Sequence, residues 1–333
     1  MKKKLGDILK FALFLGIGIF FIWWFLLKLD PDEKAAIWQS FLSAKWGWVI
    51  VVMLASLVAH FFRALRWRLL FKPLNHTPGI NNTFGAVMVT YLANLAFPRL
   101  GEVMRCAMLR NSDNIPMEKS IGTVVTERLF DTLMFVVIVV MGFLLMFSSV
   151  KDFLYDALSQ KFSSLPTLAG IAAAGLVFLI ILFIIYKLYH EKLLKFKLYR
   201  KVADLIVGCV DGVKSILHLG PRSAILFGIY SAIIYFLYIA GGWIIMQAFA
   251  ETTTLGFSAA FVIYLFGSVG MMISQGGLGA YPVLVWQALA LYGVSEATGI
   301  ACGWLLWGAQ QAIVIVIGLA YLVYFSLLKK KQQ

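Results

Sequence analysis

Charge is what this chain has least of. Only 14% of its 333 residues are Asp, Glu, Lys or Arg, against 61% apolar residues, and the mean hydropathy is +0.87. A water-soluble core of this length does not need so much apolar surface, so a soluble globular protein is excluded. Cysteine is scarce too. Cys106, Cys209 and Cys302 are scattered, with no Cys-x-x-Cys pair, which argues against both a disulfide frame and a thiolate metal site. The four histidines, His60, His76, His190 and His218, are equally dispersed. No metal centre, cofactor or nucleic-acid partner is expected. No phosphate-binding loop for ATP occurs, and too little polar sequence is present for an ATPase domain.

What the chain has in abundance is long apolar runs, several near or above the ~20 residues that cross a bilayer. The first, over residues 11–27, follows three lysines and ends without a small-x-small cleavage site, so it reads as an uncleaved span. The net charge of +13 is unevenly placed: basic clusters occur at 2–4, at Arg63, Arg66, Arg68 and Lys72, at 187–201 and at 329–331. The positive-inside rule puts these in the cytoplasm, together with both termini. Loops 28–45 and 151–161 are nearly neutral and fall outside.

That parity expects six full spans, at about 9–27, 46–65, 117–147, 166–189, 222–249 and 299–327. Two apolar stretches remain, at about 82–110 and 257–292. They are interrupted by Pro98-Arg99-Leu100-Gly101 and by Gln275-Gly276-Gly277-Leu278-Gly279 with Pro282. Proline and glycine break helices, so both read as re-entrant helical hairpins. The alternative is two pairs of thin complete crossings. Between residues 190 and 220, Leu198, Val202, Leu205, Ile206, Cys209, Val213, Ile216 and Leu217 share one helical face. This is expected to be an amphipathic cytoplasmic helix on anionic inner-leaflet lipid, or a connector packed under the protein.

The expected architecture is thus an all-α polytopic membrane protein, one integral membrane domain over 1–333. It holds repeat A at about 46–147, repeat B at about 222–327 and the amphipathic connector between them. Span, hairpin and span recur with opposite polarity, an inverted-topology repeat of the kind that places a substrate near the midplane between interrupted helices.

Six charges stand out because they lie in or beside apolar segments: Arg99, Glu102, Arg105, Glu127, Arg128 and Asp131. One charge at the bilayer centre costs ~3 kcal/mol on insertion scales. Two arginines beside exposed helix amides suit a phosphate, which the guanidinium fork grips in a plane. Arg128 and Asp131 are spaced to pair, and Glu102 with Glu127 and Asp131 can hold Arg99 or Arg105. The cluster is either a closed ion-pair network that locks hairpin to span or a site that keeps an arginine for substrate. Arg63, Arg66 and Arg68 beside Trp67 read first as snorkelling side chains at the interface. Alternatively Arg63 and Arg66, with His60 one turn earlier, line a mouth that collects headgroups. The second hairpin carries no charge, only Gln275, Tyr281 and Pro282, and the last span adds Trp304, Trp307, Gln310 and Gln311. Gly241, Gly242, Gly267 and Gly270 read as close-packing residues.

Three motifs carry a resemblance. These are Asn94-x-x-Phe97-Pro98-Arg99-x-Gly101-Glu102-x-x-Arg105, Glu127-Arg128-x-x-Asp131 and Gly276-Gly277-x-Gly279. Together they resemble the lysylphosphatidylglycerol synthase transmembrane-region family, also called flippase-like domains, over roughly residues 10–327. The resemblance implies a bacterial or archaeal multi-pass protein of the cytoplasmic (inner) membrane that moves a lipid or lipid-linked molecule between leaflets. It brings Asn94, Gly101, Gly277 and Gly279 into the candidate substrate-binding set beside the charged residues. In the bacterial synthase the flipped lipid is made by a soluble transferase domain. None is present here, so synthase activity is not expected. Relatives often carry an acid after the second-break glycines and an arginine in the last span, where this chain has Tyr281 and Trp307/Gln310. The expected function is a lipid translocase. The alternatives are an intramembrane lipid-modifying enzyme using Glu102, Glu127 or Asp131, and a membrane scaffold for a separate transferase.

Overall fold

A computed structural model describes residues 31–97, 99–159 and 219–331. The expected spans at 9–27 and 166–189, and the amphipathic helix over 190–218, lie outside the described residues. Among those described there are nine α-helices and no strand: α1 Pro31–Ser43, α2 Trp46–Leu69, α3 Ile80–Ala96, α4 Leu100–Asp113, α5 Met117–Ser159, α6 Pro221–Met246, α7 Phe257–Ile273, α8 Ala280–Ala290 and α9 Glu296–Lys331. The chain divides into two units, one of Met1–Glu127 with Ile216–Gln333 and one of Arg128–Ser215.

In the first unit, α2, α6 and α9 are long and apolar enough to cross a membrane. Their polarity is inside out. On α2, Trp46, Ile50, Leu54, Val58 and Phe61 are exposed, while His60, Arg63 and Arg66 are buried. On α6, Ile225, Ile229 and Phe236 are exposed and Ser231 is buried. Such an arrangement is stable only where the surroundings are as apolar as the helix surface.

Both interrupted stretches break where proline and glycine predict. Helix α3 stops at Ala96, Phe97 is extended, and α4 begins after Arg99, which adopts a left-handed φ of +64°. Helix α7 stops at Ile273. A 3-10 turn over Gln275–Gly277 and left-handed Gly276, Gly277 and Gly279 then lead into α8. The four arms are 17, 14, 17 and 11 residues long, which at ~1.5 Å per residue makes each shorter than the ~30 Å hydrocarbon core.

Glycine sets the spacing around the second break. A Cβ on Gly270 would lie 2.7 Å from Tyr281 Cα, and one on Gly242 would lie 3.2 Å from the Ala260 carbonyl oxygen. A Cβ on Gly267 would lie 2.7 Å from the Tyr281 ring, so three of the four glycines read as packing residues serve that purpose. At Gly241 the nearest atom would be 3.9 Å away, which is ordinary contact.

Before α9, Ser295 stands at the helix start with its amide and hydroxyl both donating to the Glu251 carboxylate. Burial works against the Glu251 charge, but the hydrogen bonds from Thr298 and Ser295 outweigh it and hold the carboxyl below its ordinary value. A carboxyl depressed in the folded state stabilises it above the unfolded pKa of about 4.3 and loses that contribution as pH falls through the folded value. The thermal midpoint is therefore expected to fall on acidification below about pH 4. Glu251→Gln should flatten that slope in a scanning unfolding assay, and an unchanged slope would remove Glu251 from the account.

In the second unit, the backbone of α5 continues as helix through Ser159. The stretch expected to be loop from residue 151 onward is helical as far as Ser159. No proline or glycine occurs over 143–159, so nothing local stops the helix where its composition turns polar.

Candidate functional site: a buried arginine cluster

Arg63 and Arg66 are three residues apart on α2, so they share one face. Arg105 comes from the second turn of α4, and Glu127 from α5, ten residues beyond its start at Met117. The three arginines converge on that carboxylate. Arg63 Nη1 donates to Glu127 Oε1 at 3.1 Å, Arg66 Nη2 to the same oxygen at 3.2 Å, and Arg105 Nη1 to Oε2 at 2.8 Å. Arg63 is 5% exposed, Arg105 1%, and Arg66 and Glu127 are fully enclosed.

Desolvating four ions is expensive, and only close, well-directed contacts offset it. Aromatic rings supply a second set of contacts. The guanidinium carbon of Arg105 lies 4.4 Å from the Trp67 ring, that of Arg66 5.4 Å from Phe227, and that of Arg63 5.8 Å from Tyr91. A desolvated guanidinium over a ring gains up to about 2 kcal/mol. Trp67 is itself fixed, its indole N–H donating to Thr123 Oγ1 at 3.0 Å, and Arg66 Nη1 donates to Ser231 Oγ at 3.2 Å. His60, one turn before Arg63, packs against Tyr91 with ring centroids 4.5 Å apart and ring planes tilted by 48°.

Arg105 uses only part of its fork. Its Nε and Nη2 are buried and have no hydrogen-bond partner among the described residues. A buried donor left unmatched costs about 1–3 kcal/mol, more when charged.

The break itself is built differently from the expectation of exposed helix amides. The Gly101 amide, in the first turn of α4, donates to Asn94 Oδ1 at 2.8 Å. The Asn94 amide group donates to Glu102 Oε1 at 3.4 Å. Asn94 thus caps α4 from the end of α3, and the candidate anion site lies a turn deeper, at Arg105. Arg99 is exposed and makes no hydrogen bond or ion pair among the described residues. The structure does not bring it to the cluster.

Arg128 and Asp131 belong to the second unit and pair with each other at 3.8 Å, as their spacing predicts. Gly277 and Gly279 supply the left-handed turns of the second break, at φ values of +78° and +77°. The interfacial snorkelling reading of Arg63 and Arg66 is corrected, because both are enclosed with Glu127. The available signal was their shared face with His60, a polar stripe on an otherwise apolar helix. Sequence reasoning did not foresee the ring partners Tyr91 and Phe227, or Ser231. Nor did it foresee that Gln275 of the second break donates its amide to the Asn94 and Leu95 carbonyls of the first. The last helix joins this contact, Trp307 Nε1 donating to the Gly276 carbonyl at 2.7 Å.

The family model described as the lysylphosphatidylglycerol synthase TM region matches residues 8–318. Comparison with curated proteins and with solved structures found no match.

Proposed function

Given that the chain belongs to the lysylphosphatidylglycerol synthase transmembrane-region family, we propose that this membrane protein is a lipid translocase that carries a phosphate-bearing lipid headgroup between leaflets. The observation that carries the reading is Arg105: a guanidinium 1% exposed, braced on Trp67, with two of its nitrogens unmatched. Phosphate is the membrane anion whose geometry fits that edge. The headgroup moves through the protein while the acyl chains stay in lipid.

Further support comes from the two broken helices, whose short arms and touching tips fit re-entrant hairpins of an inverted repeat. On this reading six spans flank them in the cytoplasmic membrane, with both termini inside. Arg63, Arg66 and Glu127 hold Arg105 in place, and Glu102 with Asn94 shapes the approach from the break. An enzyme using Glu127 as a base fits less well, since three guanidinium groups already occupy both oxygens of that carboxylate.

Purified protein in vesicles with a labelled phospholipid in one leaflet tests the function. Transfer is expected to exceed the protein-free rate, and folded Arg105→Gln to slow it about tenfold, equivalent to ~1.4 kcal/mol. Transfer at the protein-free rate, or unimpaired transfer by the variant, overturns the proposal.

A further inference from the structure

Where α4 turns into α5 the chain leaves two opposite charges unmatched. A cleft of about 370 Å³ opens there, lined by Arg110, Asn114, Ile115, Pro116, Met117 and Glu118. Asn114 takes the left-handed conformation, φ +54°, that ends α4 and turns the chain over the buried Ile115, a role asparagine shares with glycine. Arg110 and Glu118 are both exposed, and neither has a hydrogen bond or ion pair among the described residues. Their charged neighbours are already engaged. Asp113 accepts from the Gly79 amide at 2.8 Å and from the Asn82 side chain at 3.0 Å. Lys119 Nζ lies 3.1 Å from His76 Nε2. One guanidinium and one carboxylate therefore border the same cleft without closing on each other.

The surroundings fix the level of this cleft in the bilayer. Leu100, Val103, Ala107, Arg110 and Asn114 recur at three and four residues, along one face of α4 and its cap. Leu100 and Val103 are exposed and apolar, while Arg110 and Asn114, at the other end, are exposed and polar. On α5, Ile121 and Val125, beyond Glu118, are exposed and apolar as well. Arg105 of α4 meets Glu127 of α5 at 2.8 Å, so the two helices run back alongside each other from the cleft. An exposed surface that is polar at the turn and apolar on both helices matches the passage from headgroups to hydrocarbon. From Leu100 to Arg110 the helix rises about 15 Å, half of the ~30 Å hydrocarbon core.

We propose that Arg110, Asn114 and Glu118 bind the zwitterionic headgroup of an aminophospholipid at the membrane surface, with its acyl chains against Val103, Leu100, Ile121 and Val125. The guanidinium fork takes the phosphate, and the Asn114 carboxamide adds a donor. The ammonium, two carbons beyond the phosphate ester, donates to the Glu118 carboxylate. A quaternary ammonium has no N–H to donate, and a headgroup that carries only the phosphate charge meets Glu118 as a like charge. The site is separate from the enclosed Arg105, and it stands whether or not the protein moves lipid.

Native mass spectrometry of the detergent-purified full chain tests the site, with phosphatidylethanolamine, phosphatidylcholine and phosphatidylglycerol of matched acyl chains. Phosphatidylethanolamine is expected to bind about tenfold more tightly than either of the others, the worth of one charge-assisted hydrogen bond. Glu118→Gln is expected to remove its advantage over phosphatidylcholine and to raise phosphatidylglycerol binding. Arg110→Gln is expected to weaken phosphatidylethanolamine about tenfold. Both substitutions fall on exposed side chains without partners among the described residues, so the folded protein is available for measurement. Equal binding of phosphatidylethanolamine and phosphatidylcholine to the unaltered protein overturns the site, as does a preference that survives Glu118→Gln. Unchanged binding by Arg110→Gln places the phosphate elsewhere and overturns it too. Soluble glycerophosphoethanolamine is expected to displace the lipid only in large excess; displacement at equal concentration overturns the lipid assignment. Binding is read without transfer between leaflets, so the result is independent of the vesicle assay.

Discussion

Glu127→Ala will unfold this protein more readily than any other single side-chain truncation in the cluster, by about 3–5 kcal/mol. The carboxylate accepts from Arg63, Arg66 and Arg105, all enclosed. Removing it leaves guanidinium groups facing one another in a low-dielectric interior, and the cost of an uncompensated buried charge far exceeds the worth of the lost hydrogen bonds. The rings of Trp67, Phe227 and Tyr91 remain but cannot replace a full negative charge. Denaturant or thermal unfolding in detergent measures the loss. Exchanging Arg63 and Glu127 together for apolar residues of similar volume is expected to cost less than Glu127→Ala alone, because charge then leaves in pairs. A loss below about 1 kcal/mol for Glu127→Ala would show that the arginines do not depend on it.

The second large effect is steric. Gly101→Ala is expected to destabilise by about 3 kcal/mol, the upper end of ordinary overpacking. A Cβ at Gly101 would lie 2.1 Å from the Thr90 carbonyl oxygen and 2.7 Å from its carbon. Those are backbone atoms of α3, held by its own helical hydrogen bonds, so they cannot rotate away as a side-chain tip would. The alanine must push α4 off α3, and with it the cap from Asn94. Gly122→Ala on α5 is the control: nothing lies within 4 Å of its added Cβ. Alanine in an open helical position stabilises by roughly 0.5–1 kcal/mol. Opposite signs for the two glycines in one unfolding series confirm the close approach of α3 and α4. Equal effects would refute it.

Helix positions were legible because they depend on neighbours in sequence. The stretches expected at 46–65, 222–249 and 299–327 appear as α2, α6 and α9 with ends shifted by a few residues. Both interruptions fall on the proline and glycine positions that announced them. The end of α5 was misplaced, since a drop in apolar content is a weaker stop than a glycine or proline. At the site, Arg128 with Asp131 was anticipated from spacing, and Arg105 with Glu127 was one of several pairings left open among Arg99, Arg105, Glu102, Glu127 and Asp131. Arg63 and Arg66 were assigned to the interface instead, because an arginine near the end of an apolar helix reads the same whether it reaches outward to water or inward to a partner.

What the sequence determined alone was local: an apolar, all-helical chain, interrupted twice, with its unusual charges concentrated around the first interruption. Which charges meet was decided only by packing. Glu127 is 64 residues from Arg63 and 61 from Arg66, and Gln275 is 181 residues from Asn94. The physical reason is range. Backbone preference and hydrophobic patterning act over a few residues, whereas the cost of an unpaired buried charge is settled by whatever group the folded chain brings within hydrogen-bonding distance.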